Sequence, residues 1–268
     1  MLKQISTLAL GGIAAVALAT TGANANLVTN GDFSSYVGPA VGGQVDFNET
    51  LNGWTLETTS GGTGASGSNS YTFVEGSATD ATTGVTGNDG LVALKGGAGG
   101  VTAPSGTGTF LAMDPAYPVN QTDPSAFIAI TQNVTGLSVG QQYTLSFAYG
   151  ASQQTNHNGS ITAGWTVNMG GSQIATVSKA GGSSTDTTGG FSGWFTDSIT
   201  FTATSTSEVL SFIGQSTQSE SLPPFALLTD VSITPNTSTV PEPSTVSMLG
   251  MVLIGLGGLI YRRRNKTA

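Results

Sequence analysis

Cysteine is absent from the 268-residue sequence, and histidine occurs only once. Without cysteine, disulfide bonds contribute nothing to the fold, although an oxidising exterior is tolerated. His157 alone cannot form a zinc site, which normally uses several His or Cys ligands. The G-x-S-x-G sequence at 136–140, GLSVG, lies between two predicted strands rather than at a strand-to-helix elbow, and the sequence has no GxxxxGK[ST] phosphate loop. We therefore predict a protein that is not an enzyme; a glycosidase with spatially paired carboxylates is the alternative that stays open.

Basic residues are almost as scarce over most of the chain. Residues 26–242 contain all fifteen acidic residues but only two basic ones, Lys95 and Lys179. Proteins bind phosphate backbones by neutralising them with Lys and Arg, so this acidic stretch excludes nucleic acid as a partner. An acidic surface instead suits solubility outside the cell, or cation binding.

Sustained helical periodicity is missing as well, and strict alternation of apolar and polar residues takes its place. For example, Tyr143 and Leu145 share one face of their segment while Thr144 and Ser146 share the other. Eleven segments are predicted as strands: 27–33, 53–57, 71–75, 91–95, 109–113, 126–134, 141–150, 164–169, 197–203, 208–214 and 225–234. Loops rich in Gly, Ser and Thr separate them, which is typical of an all-β sandwich or barrel.

The N-terminal segment differs from this body. Lys3 precedes an apolar run of twelve residues at 8–19, and Ala23-Asn24-Ala25 follows. Twelve residues make only about 18 Å of helix, too short for a hydrocarbon core roughly 30 Å thick. The order predicts a signal peptide at 1–25 that the export machinery recognises and that is cleaved after Ala25. A permanent N-terminal anchor is the alternative.

The C-terminal segment combines three features in a fixed order. VPEPS at 240–244 precedes an apolar run of sixteen residues at 246–261 and then Arg262, Arg263 and Arg264. Such a run gives roughly 24 Å of helix, which is short for a membrane span but workable with thinning or snorkelling. The arginines would hold the C-terminus in the cytoplasm by the positive-inside rule. We predict a transmembrane helix at 246–261 followed by a basic tail at 262–268.

This three-part order resembles the bacterial PEP-CTERM sorting signal, which is also described on ice-binding proteins. The resemblance implies processing by an exosortase, a membrane transpeptidase, in a bacterium that makes extracellular polysaccharide. The residues of the processing motif are Val240, Pro241, Glu242 and Pro243. A plain single-pass anchor with incidental prolines is the alternative. We expect one domain at 26–234, a linker at 235–240 and the sorting segment at 241–268.

Five stretches of the body carry a second resemblance: NLVTNGDF at 26–33, GW at 53–54, VTGLSVGQQYTLSF at 134–147, GFSGW at 190–194 and PPFALLTDVSI at 223–233. They look like parts of exported galactose-binding-like β-sandwiches, whose plan many carbohydrate-binding modules share. The resemblance implies that the eleven predicted strands form a jelly-roll β-sandwich.

In that family, a first-strand motif of the NGDFE kind and a last-strand Asp often help to hold a structural calcium ion. Asp32 and Asp230 match these positions, but Ser34 stands where the family has Glu. Ca²⁺ takes about six to eight oxygen ligands, so the missing carboxylate weakens the site. The resemblance implies calcium at Asp32 and Asp230; the alternative is that both serve only in turn and strand-end hydrogen bonds.

A sugar site needs an apolar face for the ring and polar groups for the hydroxyls. The predicted ligand-binding residues are Trp54, Trp194, Gln153, Asn156 and His157. The two tryptophans would supply platforms, and the other three would form a polar loop. Trp165 alternates with Val167 and Met169, which is ordinary core patterning.

The leading hypothesis is an exported, non-enzymatic surface or matrix protein that associates with an extracellular polysaccharide layer. A carbohydrate-binding module with an aromatic sugar site is the alternative. An ice-binding protein is a third hypothesis, which would require a flat and regular threonine array; the irregular strand spacing argues against one.

Overall fold

A computed structural model describes residues 25–58, 71–96, 101, 103–104, 108–116, 127–181, 190–217 and 222–236. These residues are almost entirely β-structure in antiparallel sheets, which confirms the predicted all-β fold class. Ala23, the processing motif at 240–243, the predicted membrane helix at 246–261 and the arginines at 262–264 lie outside the described residues. Within the part that is described, no helix is long and apolar enough to cross a membrane.

The described residues form fifteen strands and one short helix. In chain order the elements are β1 (Tyr36–Val37), β2 (Gly42–Gln44), β3 (Thr50–Leu51), β4 (Thr55–Thr58), β5 (Thr72–Glu75), α1 (Ala78–Thr83), β6 (Val85–Gly87), β7 (Gly90–Val92), β8 (Phe110–Met113), β9 (Ile128–Thr135), β10 (Gln142–Gln153), β11 (Ile161–Met169), β12 (Ser172–Gly181), β13 (Phe195–Thr202), β14 (Ser207–Ser216) and β15 (Pro224–Pro235).

Two antiparallel sheets form the layers of the sandwich. The strand order is β13-β10-β15-β8-β5-β2 in the six-stranded sheet and β12-β11-β14-β9-β4 in the five-stranded sheet. Two small ribbons, β1-β3 and β6-β7, lie outside them. From β8 onward the chain passes repeatedly from one sheet to the other, which is the jelly-roll arrangement.

The main core lies between the two sheets and follows from the alternation along the strands. In β10, Tyr143, Leu145, Phe147 and Tyr149 are buried on the inner face. Phe147 meets Phe212 of the opposite sheet edge to face, with ring centroids 5.1 Å apart. Burial of each such side chain contributes about 1.5–3 kcal/mol, so this layer contributes most of the stability.

A second apolar cluster covers the outer face of the six-stranded sheet. It is built on Phe73, Phe110, Phe225 and Leu227, which belong to β5, β8 and β15. The connection from β5 to β8, which includes α1 and the β6-β7 ribbon, packs over them. These strands are therefore covered on both faces, and all four residues of β8 are buried.

The prediction of a strand at 27–33 is wrong, because this segment forms bends and a turn. Asn30 and Phe33 adopt left-handed backbone conformations with φ of 53° and 57°. Extended backbone does not include this region, so no strand can run through both residues. A hydrogen bond from the amide of Leu27 to the carbonyl of Ile233, at 2.9 Å, still holds the segment beside β15.

The sequence does not predict α1, β12 or the short strands β1, β2, β3 and β6. Strand β12 is the edge of its sheet, and most of its side chains are exposed or half-buried, so strict alternation is not required. Helix α1 has six residues and starts where the hydroxyl of Ser77 accepts a hydrogen bond from the amide of Asp80 at 3.2 Å. Six residues are too few to show a helical period.

Candidate functional site

An open cleft of about 580 Å³ lies on strands β14, β9 and β4, at one edge of the five-stranded sheet. We call it the outer cleft. Its lining residues are Thr29, Gly53, Trp54, Thr55, Glu57, Thr131, Gln132, Asn133 and Val209. Leu56 packs against the main core, so its neighbours Thr55 and Glu57 point away from the core. By the same alternation Thr131 points outward beside the buried Ile130. The cleft therefore opens on the outer face of the sandwich.

Several hydrogen-bonding groups face one another in the outer cleft. Thr131 Oγ1 donates to Glu57 Oε1 at 3.1 Å. Asn133 Oδ1 accepts from Ser207 Oγ at 2.7 Å, and the Asn133 amide nitrogen carries two donors. Glu57 and Asn133 are exposed. An exposed carboxylate and an exposed amide on neighbouring strands, beside the hydroxyl of the buried Thr131, can bind the hydroxyl groups of a polar ligand.

Buried Gln132 fixes the rim of the outer cleft. Its Nε2 donates to the carbonyls of Thr29 and Gly53 at 2.8 Å each, and its Oε1 accepts from the amide of Thr29 at 2.8 Å. The side chain is 7% exposed, so these bonds are largely shielded from water. The sequence pattern alone does not predict this role. The available clue was a glutamine at an inward position of the apolar pattern in 126–134.

The structure places Trp54 in the core rather than on the surface as a sugar platform. It is 7% exposed, and its Nε1 donates to the carbonyl of Asn30 at 2.9 Å. Its ring packs against Phe33 and Phe212, with centroids 5.3 Å and 6.3 Å away. Trp54 therefore lines the outer cleft without offering an open ring face for stacking.

Trp194 lies on the other sheet and does not approach the outer cleft. It packs against the second apolar cluster, edge-on to Phe110 and Phe191 at centroid distances of 5.5 Å and 5.9 Å. The side chain is half-buried, and its Nε1 has no hydrogen-bond partner among the described residues. The two predicted platforms thus do not share a surface.

The predicted polar loop is only partly a loop. Gln153 is the last residue of β10 and is fully buried, which corrects its predicted loop position. Lys95, 1% exposed, donates from Nζ to Gln153 Oε1 at 3.2 Å and to Asn158 Oδ1 at 2.9 Å. Gln153 is drawn inward because a buried ammonium group needs polar partners. Asn156 is exposed, with φ of 66°, and His157 is half-buried.

Asp32 and Asp230 line one cavity of about 410 Å³, at the edge where the N-terminal turn meets β15. The amide of Val231 donates to the carbonyl of Gly31 at 2.9 Å, and this contact brings the two carboxylates to the same place. Ser34 Oγ lies 3.0 Å from both carboxylate oxygens of Asp32 and donates to them. The serine at the family's Glu position therefore serves as a hydrogen-bond donor to the neighbouring Asp.

The side chains of this cavity fall short of a complete calcium shell. Two carboxylates offer four oxygens, whereas Ca²⁺ takes about six to eight. The Asn30 amide is already engaged, since its Oδ1 accepts from the amide of Ser35 and its Nδ2 donates to the carbonyls of Ser35 and Asn52. In the described ranges, no group of three or more His, Cys, Asp or Glu residues is placed to hold a metal ion. Calcium at Asp32 and Asp230 stays a prediction, with backbone carbonyls and water as its further ligands.

The described residues define an all-β jelly-roll sandwich. Its surface carries the outer cleft and the cavity of Asp32 and Asp230. Residues 239–264 match the family described as the PEP-CTERM protein-sorting motif, so the chain carries this sorting signal. The match confirms the resemblance proposed from the sequence. The motif implies an exported protein with a membrane-anchored precursor that an exosortase processes.

No match is found among curated proteins. Among solved structures, the module TmCBM61 in complex with β-1,4-galactotriose is 12% identical, with a TM-score of 0.40 over 79% of this chain and 99% of that one. The CBM22-1 xylan-binding domain of Paenibacillus barcinonensis Xyn10C is 14% identical, with a TM-score of 0.37 over 79% and 95%. The arabinose-bound MgGH51 α-L-arabinofuranosidase is 15% identical, with a TM-score of 0.37 over 79% of this chain and 26% of that one. The chain thus spans nearly all of the two modules and about a quarter of the enzyme.

Proposed function

We propose that the protein is an exported, non-enzymatic component of the cell surface or extracellular matrix that associates with the extracellular polysaccharide layer. The PEP-CTERM motif at 239–264 carries this proposal, because it joins a membrane-processing signal to an acidic β-sandwich. In this proposal residues 26–234 are the delivered domain, 235–240 are the linker and 241–268 are the sorting segment.

The body is suited to conditions outside the cell. Both apolar cores lie between Val28 and Ile233, so the sandwich has a core of its own without any cysteine. Acidic residues outnumber basic ones by fifteen to two over 26–242, which favours solubility. These properties support delivery as a stable module.

Deletion of residues 239–268 tests the sorting step. We expect the truncated protein to be released unprocessed, whereas the wild type is processed and recovered with the envelope or matrix. The double variant Pro241→Ala, Pro243→Ala is the matched control, because it keeps the apolar run and should accumulate as a membrane-held precursor. Immunoblots of membrane, matrix and medium fractions measure all three. Equal retention of the wild type and the truncated protein would contradict the proposal.

The outer cleft favours carbohydrate binding as a second candidate function. Glu57 and Asn133 present an exposed carboxylate and an exposed amide in an open cleft of about 580 Å³, and Thr131 Oγ1 donates to the carboxylate of Glu57. Because Trp54 belongs to the core, we propose that sugar hydroxyls are bound by hydrogen bonds rather than by stacking on an aromatic platform. This places the candidate site on different residues from those that the sequence suggested.

Calorimetry with a panel of bacterial and plant polysaccharides tests this site. We expect Glu57→Gln with Asn133→Ala to weaken binding of a recognised glycan about tenfold or more, because bonds to a charged group contribute about 1.5–3 kcal/mol. Gln215→Ala is the control, since Gln215 is an exposed residue of β14 that does not line the cleft. Equal loss in both variants would remove the outer cleft from consideration. Turnover of any glycan in the panel would overturn the non-enzymatic part of the proposal.

A further inference from the structure

Two buried glutamates lie outside both the outer cleft and the cavity of Asp32 and Asp230. Glu49 is 3% exposed and Glu75 is fully buried. Among the described residues, none of their four carboxylate oxygens makes a hydrogen bond of standard geometry, although the backbone amide of Gly43 approaches Glu49. A buried carboxylate without a donor is strongly disfavoured, so native proteins pair such groups, protonate them or bind a cation.

The fold places both glutamates next to β2, from separate segments. Glu75 ends β5, where it stands opposite Gly42 of β2. Glu49 closes the turn that follows β2, and its amide donates to the carbonyl of Gln44 at 3.2 Å. Gly38 lies against Glu49 so closely that a Cβ at Gly38 would be 3.0 Å from Glu49 Cγ. The segment after β1 therefore covers Glu49.

The pKa values of Glu49, Glu75 and Tyr36 are all raised, and burial is the largest cause for each. Burial raises the pKa of Glu49 to about 8, although the backbone amide of Gly43 opposes this rise. Burial, and then the charges of Asp80 and Glu49, hold the pKa of Glu75 well above its usual range. Burial also raises the pKa of the Tyr36 hydroxyl, with Glu49 and Asp80 acting in the same direction. The charges that act on this site are all negative.

The described part of the chain supplies no counter-charge for this pair. Its two basic residues are Lys95 and Lys179. Lys95 donates to Gln153 and Asn158, and Lys179 lies 3.9 Å from the ring centroid of Phe195. Neither lysine contributes to the pKa shifts of the two glutamates. A compensating charge must therefore come from a bound ion or from protons.

We propose that Glu49 and Glu75 form a buried site for one divalent, oxygen-preferring cation, with Ca²⁺ as its best candidate. Two carboxylates neutralise the two charges of such an ion and supply up to four of its oxygens. No group of three acidic or histidine side chains is placed around a metal in the described residues, so backbone carbonyls or water must supply the other ligands. The ion would tie the segment after β1 and the turn after β2 to the end of β5.

The test uses the full-length exported protein, purified in mild detergent and stripped with a chelator. Calcium calorimetry, with Tb³⁺ luminescence as a second probe, compares the wild type with Glu49→Gln, Glu75→Gln. The control is Asp32→Asn, Asp230→Asn, which removes the other pair of carboxylates. We expect the glutamate variant to bind one ion fewer than the wild type and to show a smaller calcium-dependent rise in melting temperature. The control should retain the ion at the glutamate pair.

Equal numbers of bound ions in the wild type and the glutamate variant would overturn the proposal. So would a wild type that binds no ion and loses stability as the pH rises from about 4.5 towards 8. That result would mean that the carboxyls are simply protonated, because a raised pKa in the folded state stabilises the fold only at low pH. If the glutamate variant does not fold, anomalous diffraction from Tb³⁺-soaked wild-type crystals decides. A peak about 2.5 Å from both carboxylates supports the site, and its absence overturns it.

Discussion

Single buried polar side chains hold the surface features of this sandwich in place. Gln132 joins β9 to Thr29 and Gly53 through three hydrogen bonds and so shapes the outer cleft. Lys95 has a similar part at the end of β10, where it holds Gln153. Such groups stabilise a fold only when all their partners are in place, because an unpaired buried group is costly.

Gln132→Ala should lower the free energy of unfolding by about 2 kcal/mol, because it leaves backbone groups of Thr29 and Gly53 without partners. Urea denaturation measures this change. Gln215→Ala should stay within about 0.5 kcal/mol of the wild type, since Gln215 is exposed and bonds only the adjacent backbone. Similar losses in the two variants would show that the bonds of Gln132 do not fix the rim.

Residue type alone was a poor guide to the candidate site. Trp54 and Trp194 have the right chemistry for a sugar platform, but the structure uses both in packing. Gln153 has the right chemistry for a loop ligand, but it is drawn inward by Lys95. The reason is common to all three residues, because an amphipathic side chain serves the interior as well as the surface.

Strands were predictable where the alternation of side chains is enforced by burial on one face. The segments at 126–134, 141–150 and 225–234 all correspond to long central strands of the two sheets. The failures have three causes: β12 is an edge strand with little to bury, left-handed residues turn the segment 27–33 away from strand geometry, and β1, β2, β3 and β6 have only two or three residues each. None of these conditions leaves a clear period in the sequence.

Strand pairing depends on one glycine in the middle of the five-stranded sheet. Gly164 belongs to β11, between β12 and β14, and a Cβ there would lie 2.0 Å from the carbonyl oxygen of Val177. Gly164→Ala should therefore force β12 away and cost about 3 kcal/mol or more. Thermal unfolding measures the loss, and hydrogen exchange should show faster exchange of the β12 amides.

Thr166→Ala is the matched control for this substitution, because Thr166 lies on the same strand and is half-buried on the outer face. We expect a change within about 0.5 kcal/mol and unchanged protection of β12. Protected β12 amides in the Gly164 variant would show that the sheet accommodates the methyl group by other shifts.

The two apolar cores should unfold as one unit, because β5, β8 and β15 contribute side chains to both. Phe212→Ala in the main core and Phe225→Ala in the second core should each cost about 3–5 kcal/mol. Each variant should still show a single transition. Tryptophan fluorescence reports both layers, since Trp165 lies in the main core and Trp194 packs against the second. A separate early transition in the Phe225 variant would show that the outer layer unfolds independently.

The sequence alone determined the all-β class and the PEP-CTERM sorting motif at 239–264. Both features are encoded by short contiguous segments, because side-chain alternation needs only a few consecutive residues and a sorting motif is a linear pattern. Only the tertiary structure decided which distant polar groups lie near one another, as at the outer cleft and the cavity of Asp32 and Asp230, and which are buried, as Glu49 and Glu75 are. These groups come from segments that touch only after the sheets have paired, because strand register and layer packing set distances that no local pattern encodes.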